Sequence, residues 1–141
     1  MAHKVAEQCY YIGIDMDDDN SVISYYKSGM REPETLSMIA GSEIYQIPVA
    51  LVKKRGIGQW FIGEEAKKMA LLQNEEVIDH LLSGAIEKKQ VTIENAVFEK
   101  EDLFVLYIKK LILFASRLGN PGLPDCLVVT VDALSRNITE L

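Results

Sequence analysis

The chain has 141 residues, of which 48% are apolar and 26% charged. That is enough hydrophobic material for one domain with a sizeable core, and too much for a disordered segment. Fifteen Lys and Arg against twenty-one Asp and Glu leave a formal charge of -6, and no basic cluster breaks that balance, which argues against nucleic acid or an anionic membrane as partner. The longest apolar stretches, around Leu103 to Leu113 and Cys126 to Val131, are too short, or too interrupted by Lys109 and Lys110, to span a bilayer. Met1 to Glu7 carry neither a signal-peptide hydrophobic region nor an Arg-rich transit pattern, so a cytoplasmic protein is expected. Cys9 and Cys126 are isolated in apolar surroundings and read as buried small hydrophobes. His3 and His80 have no ligand partner at useful spacing, and no zinc site is expected.

In chain order, residues 1–8 read as a flexible terminus ahead of a single lobe over 9–141. The run from Cys9 to Asp15 is continuously apolar until its closing acid, which predicts a central strand buried on both faces. Ser21 to Tyr26 is rich in β-formers and ends at the turn signal Lys27-Ser28-Gly29, predicting the second arm of a hairpin. Glu34 to Met38 is expected to add a third arm, and Ile44 to Lys53 an interrupted edge strand through Pro48. Gly56 to Gly58 turns the chain into an extended Gln59 to Ile62. Ala66, Met69, Ala70 and Leu72 predict a helix over Glu64 to Gln73, with acids in its first turn.

Asn74 to Val97 is less legible: Val77 to Leu82, with His80 in its pattern, reads as helical and Gln90 to Ile93 as extended. Glu99 to Leu118 is the clearest helix, marked by Leu103, Leu106, Tyr107, Lys110, Leu111 and Phe114 and stopped by Gly119. A tight loop over Asn120 to Pro124 leads to an apolar β-branched strand, Cys126 to Val131, and Ser135 to Leu141 reads as the start of a further helix, as in a truncated fragment. Tyr25, Tyr26, Tyr45 and Trp60 are expected to pack across strands on a half-buried sheet.

The chemically loudest stretch is Gly13-Ile14-Asp15-Met16-Asp17-Asp18-Asp19-Asn20-Ser21, where four carboxylates follow a strand. Such a cluster repels itself unless solvent, cations or backbone N–H groups offset the charge. The plainest reading is a solvated hairpin turn. A calcium loop matches at Asp15, Asp17 and Asp19, but puts Asn20 where Gly is needed and Tyr26 where a bidentate Glu is needed. A strand ending Asp-x-Asp also resembles haloacid-dehalogenase-type phosphatases, with Asp15 as nucleophile and Asp17 as acid/base.

A wider resemblance engages nearly the whole chain. Ile12-Gly13-Ile14-Asp15 with Asn20-Ser21 resembles the first phosphate motif, Gly-Ile-Asp-Leu-Gly-Thr-Thr-Asn-Ser, of the actin, sugar-kinase and DnaK-type heat-shock chaperone superfamily. Ile47-Pro48-Val49-Ala50-Leu51-Val52 resembles the chaperones' Thr-Pro-Ser-Val-Val-Ala-Phe strand, Ile62-Gly63-Glu64-Glu65-Ala66-Lys67 their Ile-Gly-Asp-Ala-Ala-Lys, and Val128-Val129-Thr130-Val131-Asp132-Ala133 their Val-Ile-Thr-Val-Pro-Ala after a long helix. The resemblance implies an α/β, ribonuclease-H-like lobe: a mixed sheet with a three-stranded antiparallel meander and flanking helices, one half of a two-lobed ATPase. It implies ATP or ADP with magnesium held near Gly13, Asp15, Asp17, Asp18, Asp19, Asn20 and Ser21, with Asp15 the catalytic candidate and Asp15 and Asp17 the candidate magnesium ligands.

The sequence departs from that pattern where it matters most. Asp17, Asp18 and Asp19 stand at the Gly-Thr-Thr positions, no Lys follows at a convincing place in Val77 to Leu82, and Asp132 replaces a Pro. Two like charges ~4 Å apart cost roughly 1 kcal/mol in water and about 4 at an effective dielectric of 20, so three carboxylates facing a triphosphate oppose it unless metal ions bridge them. The expectation is a degenerate nucleotide site on a binding or scaffold module, whose partner is another protein or the missing C-terminal lobe. The alternative is an ATPase, active at full length, whose acidic loop takes up additional divalent metal.

Overall fold

The computed structural model describes residues 9–118 and 123–131; the expected helix from Ser135, the terminus over residues 1–8 and much of the Asn120 to Pro124 loop lie outside them. The first strand, β1 (Tyr10–Met16), alternates: Ile12, Ile14 and Met16 are buried, whereas Tyr11 and Asp15 are exposed. β2 (Asn20–Lys27) pairs antiparallel with it from Tyr10↔Lys27 to Met16↔Ser21. β3 (Glu34–Thr35) adds two residues to β2, fewer than the expected third arm. β4 (Ile47–Pro48) pairs with the start of β2, while β5 (Leu51–Lys53) and β6 (Trp60–Ile62) form a separate ribbon. The interrupted strand expected over Ile44 to Lys53 is divided between two sheets at Val49-Ala50, where the Val49 N–H turns to the Asp19 carbonyl at 2.9 Å.

The helix α1 (Gly63–Leu72) follows directly. Gly63 opens it at φ 65°, a conformation that favours glycine, and a Cβ there would crowd Ile47 Cγ2 at 3.0 Å. Ala66 and Ala70 bury α1 against Val52 of β5 and Ala50 just before it. Leu72, expected on the packed face, is 80% exposed. The expected helix over Val77 to Leu82 is corrected. Ile78 is extended, because its N–H and carbonyl both exchange hydrogen bonds with Leu51, at 2.8 and 3.0 Å. His80 then adopts a left-handed conformation, φ 49°, and α2 (Leu81–Ile86) begins after it.

β7 (Gln90–Ile93) and β8 (Ala96–Glu99) make a hairpin through Glu94 and Asn95, both at positive φ, as a two-residue turn of primed type demands. Glu94 is an unusual occupant of that conformation. Its carboxylate accepts from Lys53 Nζ at 2.6 Å and the Gly56 N–H at 2.7 Å, which ties the turn to the β5–β6 ribbon and lowers the carboxyl's pKa, the Lys53 bond contributing most.

The long helix α3 (Lys100–Arg117) crosses the inner face of the sheet, with Leu103, Tyr107, Leu111 and Ala115 fully buried beside Ile12, Ile14 and Ile23. β9 (Cys126–Val131) then pairs parallel to β1, Tyr11 opposite Cys126 and Met16 opposite Val131. The result is a mixed sheet in the order β3-β2-β1-β9. β1 is central, as expected, but is buried on one face only, because α3 covers one side of the sheet. On the other side Tyr11 leans on Tyr26, ring centroids 6.2 Å apart. The expected cross-strand packing holds for Tyr26 and for Tyr25, whose hydroxyl donates to Glu34 across β3 at 2.8 Å; Trp60 instead meets Phe98 of the separate β7–β8 hairpin edge to face at 5.5 Å, and Tyr45 is 40% exposed. Cys126, expected inside, is exposed, since β9 lies at the margin of the described sheet. No helix among the described residues is long and apolar enough to cross a membrane.

Candidate functional site

The acidic loop is the three-residue connection Asp17-Asp18-Asp19 between β1 and β2. The Asp17 N–H donates to the Asn20 carbonyl at 3.0 Å and closes the turn. Within it, Asp17 Oδ1 accepts from the Asp19 N–H at 2.7 Å and from the Asn20 N–H at 2.8 Å. A carboxylate two and three residues ahead of free amides caps them in the same manner as an Asx turn. The loop's own side chain thereby satisfies the Asp19 and Asn20 amides.

Asp18 points the other way. Its Oδ1 accepts from the Ser83 N–H at 2.9 Å, and Oδ2 lies 3.4 Å from His80 Nδ1. Ser83 stands in the first turn of α2, where backbone N–H groups have no helical acceptor and no side chain of the preceding His80 caps them. Asp18 supplies that cap from 65 residues away. Burial alone raises its pKa, but hydrogen bonds from Ser83 and then His80 outweigh it, and the net shift is downward from the ordinary value of 3.8. A depressed carboxyl contributes stability above its unfolded pKa that is lost as pH falls through the folded value. Asp18→Asn is therefore expected to flatten the decline of stability below about pH 4 and to speed hydrogen exchange at the Ser83 amide; unchanged exchange there would contradict the capping role.

Asp15, Asp17 and Asn20 line one depression of about 380 Å³ with Met16, Val22, Gln46 and Val131. Asp15 Oδ1 accepts from the Thr130 hydroxyl at 2.9 Å, so the parallel pairing of β9 supplies its partner. Gly13 lies on the same outer face of β1, where a Cβ would meet nothing within 4 Å. Asp19 is exposed, and its carbonyl accepts from Val49. Ser21 is buried, 1% exposed. Its hydroxyl lies 3.1 Å from the Ile47 carbonyl and 2.7 Å from the Tyr107 hydroxyl, which also reaches the Pro48 carbonyl at 3.1 Å. Ser21 is committed to joining β2, β4 and α3. Burial, only partly offset by Ser21, pushes the Tyr107 phenol far above its usual range.

The structure thus brings Asp15, Asp17 and Asn20 together and separates Asp18 and Ser21 from them. Thr130, Gln46, His80 and Ser83 are the neighbours that periodicity did not mark; Thr130 was legible only within the motif resemblance, and the Asp18–Ser83 contact had no local signal. Among the described residues no group of three or more His, Cys, Asp or Glu side chains converges as a metal site.

A family model described as "Family of unknown function (DUF5716) C-terminal" matches residues 32–141. The chain belongs to this family. The match begins after β2, so the matched region includes the meander's third strand, the β5–β6 ribbon, α1, α2, α3 and β9. The acidic loop lies outside that region, whereas its partners Thr130, Gln46, His80 and Ser83 lie within it.

Proposed function

We propose that this DUF5716 chain is a ribonuclease-H-like lobe, akin to those of the actin and heat-shock chaperone ATPases, that serves as a cytoplasmic protein-binding or scaffold module and does not turn over nucleotide. The strand order β3-β2-β1-β9, with an antiparallel meander, a long helix and then a strand parallel to β1, supports the lobe. The observation that carries the loss of nucleotide chemistry is the pair of bonds from the Asp19 and Asn20 amides to Asp17 Oδ1. A phosphate-binding loop works by presenting such amides to an anion. Here an anion would have to displace a carboxylate already bonded to them and stay near Asp15 in the same depression. The Ser21 hydroxyl, buried against Ile47 and Tyr107, has no free face to offer.

Asp17→Gly removes the internal acceptor and restores the residue type of the motif. In amide-resolved NMR, Asp19 and Asn20 of the variant are expected to shift saturably with magnesium-ATP while the same amides of the unaltered chain do not. Equal, saturable shifts in both would sink the reading. The alternative, a metal-assisted ATPase, draws support from Asp15 and Asp17 sharing one depression. It requires the unaltered chain to respond once magnesium is in excess.

A further inference from the structure

The helix α3 carries two stripes. Leu103, Tyr107, Leu111 and Ala115 go to the core, whereas Lys110, Leu113, Phe114 and Arg117, three and four residues apart and so on one face, border a groove of about 410 Å³ bounded opposite by β6 and α1. Its apolar lining includes Met38, Ile39, Trp60, Phe61, Leu113 and Phe114, of which Ile39 is 42% and Leu113 52% exposed. The charged lining is Lys68, Lys110 and Arg117 against Glu64 and Glu65. Among the described residues none of these three cations has a carboxylate within ion-pair distance, whereas Glu64 already faces Lys67 at 4.0 Å. A chain of net charge -6 thus gathers three cations, none in an ion pair among the described residues, against two carboxylates around an aromatic trough. Aromatic, Met and Arg side chains are those enriched at the anchoring centres of protein interfaces, and the local field favours an anionic partner over a cationic one.

We propose that this groove docks an acidic amphipathic helix of a partner protein. Apolar side chains at helical spacing enter between Trp60 and Phe114, and carboxylates on the flanks of the segment meet Lys68 of α1 on one wall and Lys110 and Arg117 of α3 on the other. The inference is independent of the nucleotide reading, since the groove shares no residue with the acidic loop.

Trp60 is the only tryptophan and lines the groove, so its emission reports occupancy. The probes are two synthetic peptides of about four helical turns, each with Leu at i, i+3, i+4 and i+7 and with either Glu or Lys elsewhere. The Glu peptide is expected to shift Trp60 emission saturably, with affinity that falls as salt rises, and the Lys peptide to bind roughly tenfold more weakly or not at all. The double variant Lys110→Glu, Arg117→Glu should reverse that preference while its thermal unfolding stays near that of the parent; Lys68→Glu on α1 gives an independent check. No saturable shift with the Glu peptide, equal affinity for the two peptides, or an unaltered preference in either folded variant would overturn the proposal.

Discussion

Tyr107→Ala is expected to destabilise the chain by about 3–5 kcal/mol, the range for truncating a large buried aromatic, seen as a fall of roughly 10–20 °C in the thermal midpoint. Tyr107 is fully buried at the centre of α3. Its ring fills the space between helix and sheet, and its hydroxyl joins Ser21 of β2 to the Pro48 carbonyl of β4. Alanine leaves a cavity and removes the hydroxyl link, although the Pro48 carbonyl keeps the Ala50 N–H at 2.9 Å. Tyr107→Phe keeps the ring and loses only the hydroxyl; it is expected to cost about 0.5–1.5 kcal/mol, the net worth of a hydrogen bond, because the Pro48 carbonyl keeps the Ala50 N–H and Ser21 keeps the Ile47 carbonyl. If denaturant unfolding gave equal losses for the two variants, or none for Phe, the hydroxyl network would have no part in joining β4 to the sheet.

The second large effect is at Leu51. Its side chain is fully buried in the main core, and its backbone both pairs with Ile62 in β6 and exchanges two hydrogen bonds with Ile78. Leu51→Ala is expected to cost about 2–5 kcal/mol, because the β5–β6 ribbon and the segment before α2 both hang from this residue. Leu72→Ala is the control: at 80% exposure it should change stability by less than about 0.5 kcal/mol. Comparable losses at the two leucines would contradict the packing described here.

The contrast between those leucines also shows what periodicity reveals. Ala66, Met69, Ala70 and Leu72 share helical spacing, but α1 rests on the narrow β5–β6 ribbon, which has room for its two alanines and leaves Leu72 in solvent. The long helix α3 was legible because its core stripe meets a whole sheet face. Ile78 was not. Val77 to Leu82 is apolar enough for a helix, and what makes Ile78 extended is a backbone pairing to Leu51, 27 positions earlier. The β7–β8 hairpin was half seen: Asn95 favours its turn, but Glu94 takes positive φ with its carboxylate held by Lys53 and Gly56, contacts from distant sequence.

At the candidate site, the sequence disclosed which acids cluster but not how each is used. Self-repulsion among four neighbouring carboxylates is relieved partly by dispersing them. Asp15 turns to Thr130, Asp17 to the loop's own amides, Asp18 to α2, and Asp19 remains exposed. One stretch thus holds the β1–β2 turn and fastens α2 to it, and this accounts for charges that a phosphate-binding loop would exclude.

The central claim is that the Asp17 carboxylate occupies the donors a nucleotide would need. Titration calorimetry of the full chain with ATP, with and without magnesium, tests it most directly: the account predicts no saturable heat in either condition. Micromolar binding that depends on magnesium and is abolished by Asp15→Ala would contradict it.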